Sequence, residues 1–377
     1  MIPEPNFPAK PEEFVGRKVQ IGVFRRALEQ GLATGRTPSF AVLGEWGIGK
    51  SSLLLKCSAV SAEQQYNMLP VPFSVSKELA DYRSFAEGLL DTFSEALAYC
   101  HAATVRLRRE LQNWKLSRVN VGAFSLDRDA PQFFLSSGSA ILKHALRDAW
   151  GRFIQPAGLR GVIFFLDDLH NLASPSADAI ALALRDQFQS LAVDGLNCSV
   201  CFSAPLNYFS DIRNFAEPAV RFYDKVRLEP FAPTETSEYV EAVFGSTLAE
   251  IGDFSTWLHT KTHGHPYFNA FICRQIAALA HSSYTLANTV EHWPEVFAQL
   301  EKERFRSDLS QVPEREIQLL RTIARSEDEQ IGPKELPSGY ERMYFSRLTE
   351  RGLLTRTGRG RYKLYHPLFR EFLRQES

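Results

Sequence analysis

The chain has 377 residues, 44% hydrophobic and 12% aromatic with 28 Phe, which at about 150 residues per domain fills two or three cores and excludes disorder and fibre. Lys and Arg number 43 against 44 Asp and Glu, a formal net charge of -1, so a nucleic-acid or anionic-membrane partner would have to use a local patch. Five scattered Cys form no disulfide framework, Met1 to Phe14 has no signal-peptide order, and apolar runs such as Val162 to Leu166 fall far short of the ~18 residues that span a bilayer. These features lead us to expect a soluble, cytoplasmic protein without membrane contact.

Apolar spacing of Ile21, Phe24, Leu28 and Leu32 predicts a helix over 20–33. Phe40 to Leu43 reads as a buried strand feeding Gly44, Lys50 to Gln65 as a helix, Leu69 to Val75 as a strand, and Ser84 to Trp114 as a long helix. Val119, Val121 and Phe124 around Gly122 suggest a hairpin insertion between Lys115 and Gly138. A helix is expected at Ala140 to Phe153, and Val162 to Leu166 is apolar throughout, as a central parallel strand should be. A helix at Ser176 to Ala192 leads to strands at Cys198 to Phe202 and Tyr223 to Leu228. Alternating strands and helices predict a parallel α/β sheet. From Glu235 to Leu309 helices dominate. Glu314 to Arg325, Tyr340 to Arg351, and two strands around Gly358-Arg359-Gly360 then read as a winged helix-turn-helix. The expected domains are 1–232, the α/β sheet with its Pro-rich leader; 233–310, a helical region; and 311–377, the winged helix.

Gly44-Glu45-Trp46-Gly47-Ile48-Gly49-Lys50-Ser51 matches G-x-x-x-x-G-K-[ST] between a predicted strand and a predicted helix. Glycines there let successive N–H groups turn toward a phosphate, with Lys50 reaching the β- and γ-phosphates and Ser51 ligating Mg²⁺. Asp167, at the end of the clearest strand, is the expected second Mg²⁺ ligand, and Asp168 the carboxylate that polarises the attacking water. Ser203 ends the next strand, where it can sense the γ-phosphate or hold water. Arg213 and Arg221 are arginine-finger candidates acting on a neighbouring subunit. Cys198 and Cys201 read as buried strand residues rather than as metal ligands.

Phe14-Val15-Gly16-Arg17, the loop from Gly44 to Ser52, Leu166-Asp167-Asp168-Leu169-His170 and Gly264-His265-Pro266-Tyr267 together resemble the STAND branch of AAA+-related ATPases. These are nucleotide switches similar to origin-recognition and replication-initiator ATPases. The resemblance implies an AAA+-like P-loop NTPase sheet with a helical lid and a winged helix. It also implies ATP or ADP with Mg²⁺ as cofactors, Val15, Gly16 and Arg17 beside the base and ribose, and Pro266 capping the nucleotide. Signalling members carry sensor and effector segments that are not recognisable within these 377 residues, so a separate effector protein, or a homo-oligomer formed in the ATP state, is the expected partner.

Residues 311–377 hold eleven Arg and two Lys against nine Glu and one Asp. Arg342, Arg347, Arg356, Arg359 and Arg361 are the positions that would contact duplex DNA if this segment binds it; a protein-docking role is the alternative. The expected function is a slowly hydrolysing regulatory ATPase whose ADP state holds lid and winged helix closed. An initiator- or transposition-regulator-like DNA-binding ATPase and an ATP-binding adaptor of a bacterial defence operon are the other readings.

Overall fold

The computed structural model describes residues 3–79, 82–100, 104–105, 108–114, 141–172, 176–209, 220–245, 251–279, 285–336 and 342–376. The expected hairpin between Lys115 and Gly138, and Arg213, lie outside the described residues. By its contacts the chain divides into two units, one from Lys10–Gly44 and Gly49–Leu228, the other from Met1–Ala9, Glu45–Ile48 and Glu229–Ser377.

The first unit is built on five parallel strands. In chain order it comprises α1 (Lys18–Thr34), β1 (Phe40–Leu43), α2 (Lys50–Ser61), β2 (Leu69–Ser74), α3 (Tyr82–Tyr99), α4 (Ile141–Ala149, continued by a π turn over Trp150–Ile154), β3 (Val162–Asp167), α5 (Ser176–Val193), β4 (Cys198–Ala204) and β5 (Asp224–Arg227). The sheet order is β2-β3-β4-β1-β5, with Phe40 beside Cys201 and Val162 beside Cys198 in register. Every residue of β1 and β4 is buried. Pro70 and Pro72 sit in β2, and β2 is an edge strand, where a residue without an N–H leaves no ladder bond unmade.

Successive side chains of a strand face opposite sides of the sheet, and β3 uses both sides. Phe164 lies 6.1 Å from Phe93 and 5.5 Å from Phe188, whereas Phe165 faces Phe24 of α1 at 6.2 Å. Burying each such ring stabilises the unit by roughly 1.5–3 kcal/mol. The continuous apolar run at 162–166 is therefore the signature of a sheet covered on both faces.

Two predicted helices are shorter in the structure. α2 ends at Ser61, four residues before the expected Gln65, because Ser61 Oγ turns back to the Ser58 carbonyl at 2.7 Å and Glu63 reaches across to Arg25 at 2.7 Å. α3 ends at Tyr99 rather than at Trp114, and helical residues recur at 108–114.

The second unit comprises α6 (Pro233–Phe244), α7 (Ile251–Thr262), α8 (Pro266–Leu279), α9 (Leu286–Leu300) continued by a π turn over Glu301–Phe305, α10 (Arg306–Leu309), α11 (Glu314–Arg325), α12 (Arg342–Glu350), β6 (Leu354–Gly358), β7 (Arg361–Leu364) and α13 (Pro367–Gln375). β6 and β7 pair antiparallel. The reading of the sequence contained no helix corresponding to α13. Its start is signalled by Pro367 at the first helical position and by His366, whose Nδ1 accepts from the Leu368 N–H at 3.1 Å. Phe305 of the π turn packs on Phe369 at 5.5 Å and Phe372 at 5.3 Å, so the central helices and the C-terminal segment share one core. Among the described residues no helix is long and apolar enough to cross a membrane.

Candidate functional site

Strands of a parallel sheet present their carboxyl ends on one edge, where ligands of open α/β sheets bind. β1 delivers Gly44 to that edge, and its N–H donates to the Ala204 carbonyl at 3.2 Å, which fixes the start of the loop against β4. Gly49 takes φ 94°, a left-handed conformation that a side chain would strain, and it precedes the first residue of α2. No side chain caps the start of α2. The first N–H groups of that helix therefore face the loop with the positive end of the helix dipole behind them. Lys50, half-buried, donates from Nζ to the Gly44 carbonyl at 3.1 Å, curling over the base of its own loop. Ser51 and Ser52 follow on the first turn, both partly buried.

Asp167 ends β3, one strand beyond β4. Ser203, fully buried in β4, donates from Oγ to Asp167 Oδ1 at 2.6 Å and accepts the Asp168 N–H at 2.8 Å. The serine thus holds the acidic pair from below, a role the sequence did not disclose. Asp168 takes φ 55° and ψ 47°, which turns its carboxylate out of line with the strand. Burial, and then the neighbouring charge of Asp167, hold the Asp168 carboxyl above the ordinary aspartate range, against the opposing pull of His170 and Lys50. Burial holds the His170 imidazole below its ordinary range. A raised carboxyl near a phosphate-binding loop is suited to take a proton from water.

The remaining candidates fall at separate places. Val15 and Gly16 are partly buried, and Arg17, buried at φ 57°, precedes α1 in the first unit. Arg221 is exposed just before β5. Pro266 opens α8 in the second unit, after Gly264 at φ 73°, where any Cβ would meet the Phe231 carbonyl oxygen at 2.1 Å.

The apex of the loop, Glu45 to Ile48, belongs to the second unit. The residues that touch it there were not legible as site residues: Tyr267, His265 and Arg304. The Tyr267 N–H donates to the Gly47 carbonyl at 3.2 Å, and His265 Nε2 donates to the Trp46 carbonyl at 3.1 Å. Gly264-His265-Pro266-Tyr267 is the sequence signal that marks this turn, and its His265 and Tyr267, as well as Pro266, belong to it.

Of the five arginines proposed for DNA, three make contacts within the chain. Arg361 pairs with Glu335 at 2.6 Å, Arg347 lies 3.6 Å from the buried Glu316, and Arg356 Nε donates to the Gly358 carbonyl at 3.2 Å. Arg342 and Arg359 are exposed.

A five-stranded parallel sheet with a glycine loop at the carboxyl end of β1, an acidic pair on β3 and β4 inserted between those strands defines a P-loop NTPase fold of the AAA+ type. Residues 13–193 match the AAA ATPase domain family. Among solved structures the chain is similar to the Walker-type ATPase of Pyrococcus abyssi, over 99% of this chain and 100% of that one, with 16% identity and a TM-score of 0.57. It is also similar to the ORC2 protein of Aeropyrum pernix, described as ADPNP-ADP complexes, over 99% of this chain and 97% of that one, with 16% identity and a TM-score of 0.58. Among curated proteins none matches this chain.

Proposed function

We propose that the chain binds ATP and ADP with Mg²⁺ and hydrolyses ATP slowly, as a regulatory switch of the STAND type. The observation that carries this reading is the Gly44–Ser51 loop at the carboxyl end of β1 together with the Ser203-anchored Asp167 on β3. Its donors suit a nucleotide: backbone N–H groups and Lys50 for phosphate oxygens, and hard oxygens of Ser51 and Asp167 for magnesium. Held there by Ser51 and Asp167, magnesium would neutralise charge that develops on the phosphate. Asp168, its carboxyl raised by burial and by the charge of Asp167, is the residue that takes a proton from the attacking water. Val15, Gly16 and Arg17, with Pro266, remain the proposed surroundings of the base, and the helix-and-hairpin segment α11 to β7 the proposed winged helix. The nucleotide complexes named for the Aeropyrum protein support the same reading by analogy of fold.

A switch needs only that one nucleotide favour one arrangement by several kcal/mol. A protein partner is the reading carried forward for the C-terminal segment, in which Arg347, Arg356 and Arg361 make contacts inside the chain. Calorimetric titration of ADP and ATP, with Mg²⁺, into wild-type protein and Lys50→Ala tests the site. Wild-type binding that weakens about 100-fold in the variant is expected, from the loss of a charge-assisted contact to phosphate. Equal affinity in the two proteins would overturn the assignment.

A further inference from the structure

The second unit holds the loop apex through more than two backbone bonds. The indole of Trp46, about half-exposed, touches two side chains of that unit. The Tyr267 ring is 4.6 Å from it between centroids, and the Arg304 guanidinium carbon lies 3.7 Å from its ring centroid. Arg304 itself is fixed: its guanidinium pairs with Asp308 at 3.1 Å, and Tyr365 donates from its hydroxyl to the other Asp308 oxygen at 2.9 Å. Tyr365 directly follows β7. A second thread runs to the same hairpin, where Thr355 of β6 donates to Glu45 Oε1 at 3.3 Å. Arg304 stands in the π turn Glu301–Phe305, an energetically poorer helical geometry that is frequent at functional positions.

The geometry of the peptide group gives these contacts a direction. Each peptide is planar and trans, with its C=O and N–H pointing opposite ways. His265 anchors the carbonyl of the 46–47 peptide and Tyr267 that of the 47–48 peptide. The N–H groups of Gly47 and Ile48 are thereby turned away from those contacts, and it is through N–H groups that such a loop meets a phosphate. A stacked cation over Trp46 keeps the apex from rotating these two peptides away.

We infer that Arg304 is a positioning residue for the phosphate-binding loop: stacked on Trp46, with His265 and Tyr267, it orients the two apex peptides toward phosphate, and through Asp308 and Tyr365 it links that orientation to the C-terminal hairpin. The inference rests on the nucleotide-binding reading for its ligand, and the clamp itself is measurable without one. Occupancy of the loop and the state of the β6–β7 hairpin then influence each other through a continuous set of contacts.

The test uses the full chain as wild type, Arg304→Ala, Arg304→Lys and Tyr365→Phe. Two quantities are read: amide hydrogen exchange at residues 45–48 without ligand, and affinity for fluorescently labelled ADP with Mg²⁺. Arg304→Ala is expected to speed exchange at 45–48 about tenfold and to weaken ADP about tenfold, with exchange in β3 unchanged. Arg304→Lys, which keeps the charge on Asp308 and loses the flat stack, falls between wild type and Arg304→Ala. Tyr365→Phe, which removes one hydroxyl and preserves the ring, moves both readings the same way by about threefold and answers for the case in which Arg304→Ala fails to fold. Unchanged exchange at 45–48 in the folded variants would overturn the clamp. Faster exchange with unchanged ADP affinity would overturn its link to phosphate. Wild-type protein that binds no ADP overturns the functional reading and the link with it, and the exchange arm still decides whether Arg304 orders the loop.

Discussion

Ser203 Oγ stands 2.6 Å from Asp167 Oδ1 as donor, so the carboxylate proposed to hold magnesium is oriented by a hydroxyl from the adjacent strand. The same oxygen accepts the Asp168 N–H at 2.8 Å. Ser203→Ala removes both contacts in a fully buried position. Stability should fall by about 1–3 kcal/mol, the usual cost of leaving a buried group unpaired. Nucleotide affinity should fall about tenfold in the presence of Mg²⁺ and little in its absence, as outer contacts of a metal site commonly show. Titration of ADP with and without Mg²⁺ checks this, and an equal loss in both conditions would remove Asp167 from the metal site.

Asp168→Asn is expected to preserve the backbone, because Asn tolerates the left-handed conformation that Asp168 occupies at φ 55°. Nucleotide binding should persist while hydrolysis slows by about 10²–10⁴-fold, the usual contribution of a positioned base. Burial and the charge of Asp167 hold the wild-type carboxyl above the ordinary range. The acid limb of the wild-type rate profile should therefore lie above the ordinary aspartate value of about 4, with activity falling as pH drops through it. Single-turnover hydrolysis followed across pH gives both results.

Gly47 has φ 70°, and a Cβ there would meet Tyr267 Cβ at 2.9 Å and His265 Cε1 at 3.0 Å. Gly47→Ala combines about 1–2 kcal/mol of backbone strain with a collision against atoms that have little freedom to move. Weakened ADP binding in a protein that keeps its secondary structure is the expected result. Circular dichroism and titration on one sample measure it, and wild-type affinity would show that the apex is not held as described.

His366 uses both ring nitrogens: Nε2 donates to the Thr262 carbonyl at 2.8 Å and Nδ1 accepts from Leu368. Burial above all, followed by His265, His263 and Lys363, holds its pKa well below 6.5, while the bond to Thr262 acts the other way. Below about pH 6.5 the unfolded chain takes a proton that the folded one refuses, so stability is full above that pH and declines as pH falls. The slope can reach about 1.4 kcal/mol per pH unit from this group alone. His366→Asn retains a capping acceptor without titrating. Urea unfolding from pH 8 to pH 5.5 should show a flatter acid decline in the variant, and parallel curves would contradict the assignment.

The phosphate loop and the acidic pair were legible because each is local: a strand, a turn and a helix start lie within a dozen residues of Gly44, and Asp167-Asp168 terminate an unbroken apolar run. What was not legible depended on contacts across long stretches of chain. Nothing in the spacing of Trp46 and Arg304 announces a stack at 3.7 Å, and nothing around Ser203 tells whether its hydroxyl faces a ligand or the Asp167 carboxylate. Helix ends were lost where side chains intervened, as Ser61 and Glu63 do beyond α2. α13 went unread although Leu368, Phe369, Phe372 and Leu373 form an apolar stripe at helical spacing.

The position of β1 between β4 and β5 governs how the chain is made. Thr37, just before β1, donates its N–H to Asn197, a side chain 160 residues further on. At a synthesis rate of about 5–20 residues per second, the four apolar residues of β1 wait on the order of ten seconds for their first neighbour strand. Through that interval the backbone of Phe40 to Leu43 lacks both of its strand partners. Expression yield is therefore expected to respond to chaperone supply and to lower temperature, and to do so through this strand rather than through the C-terminal unit.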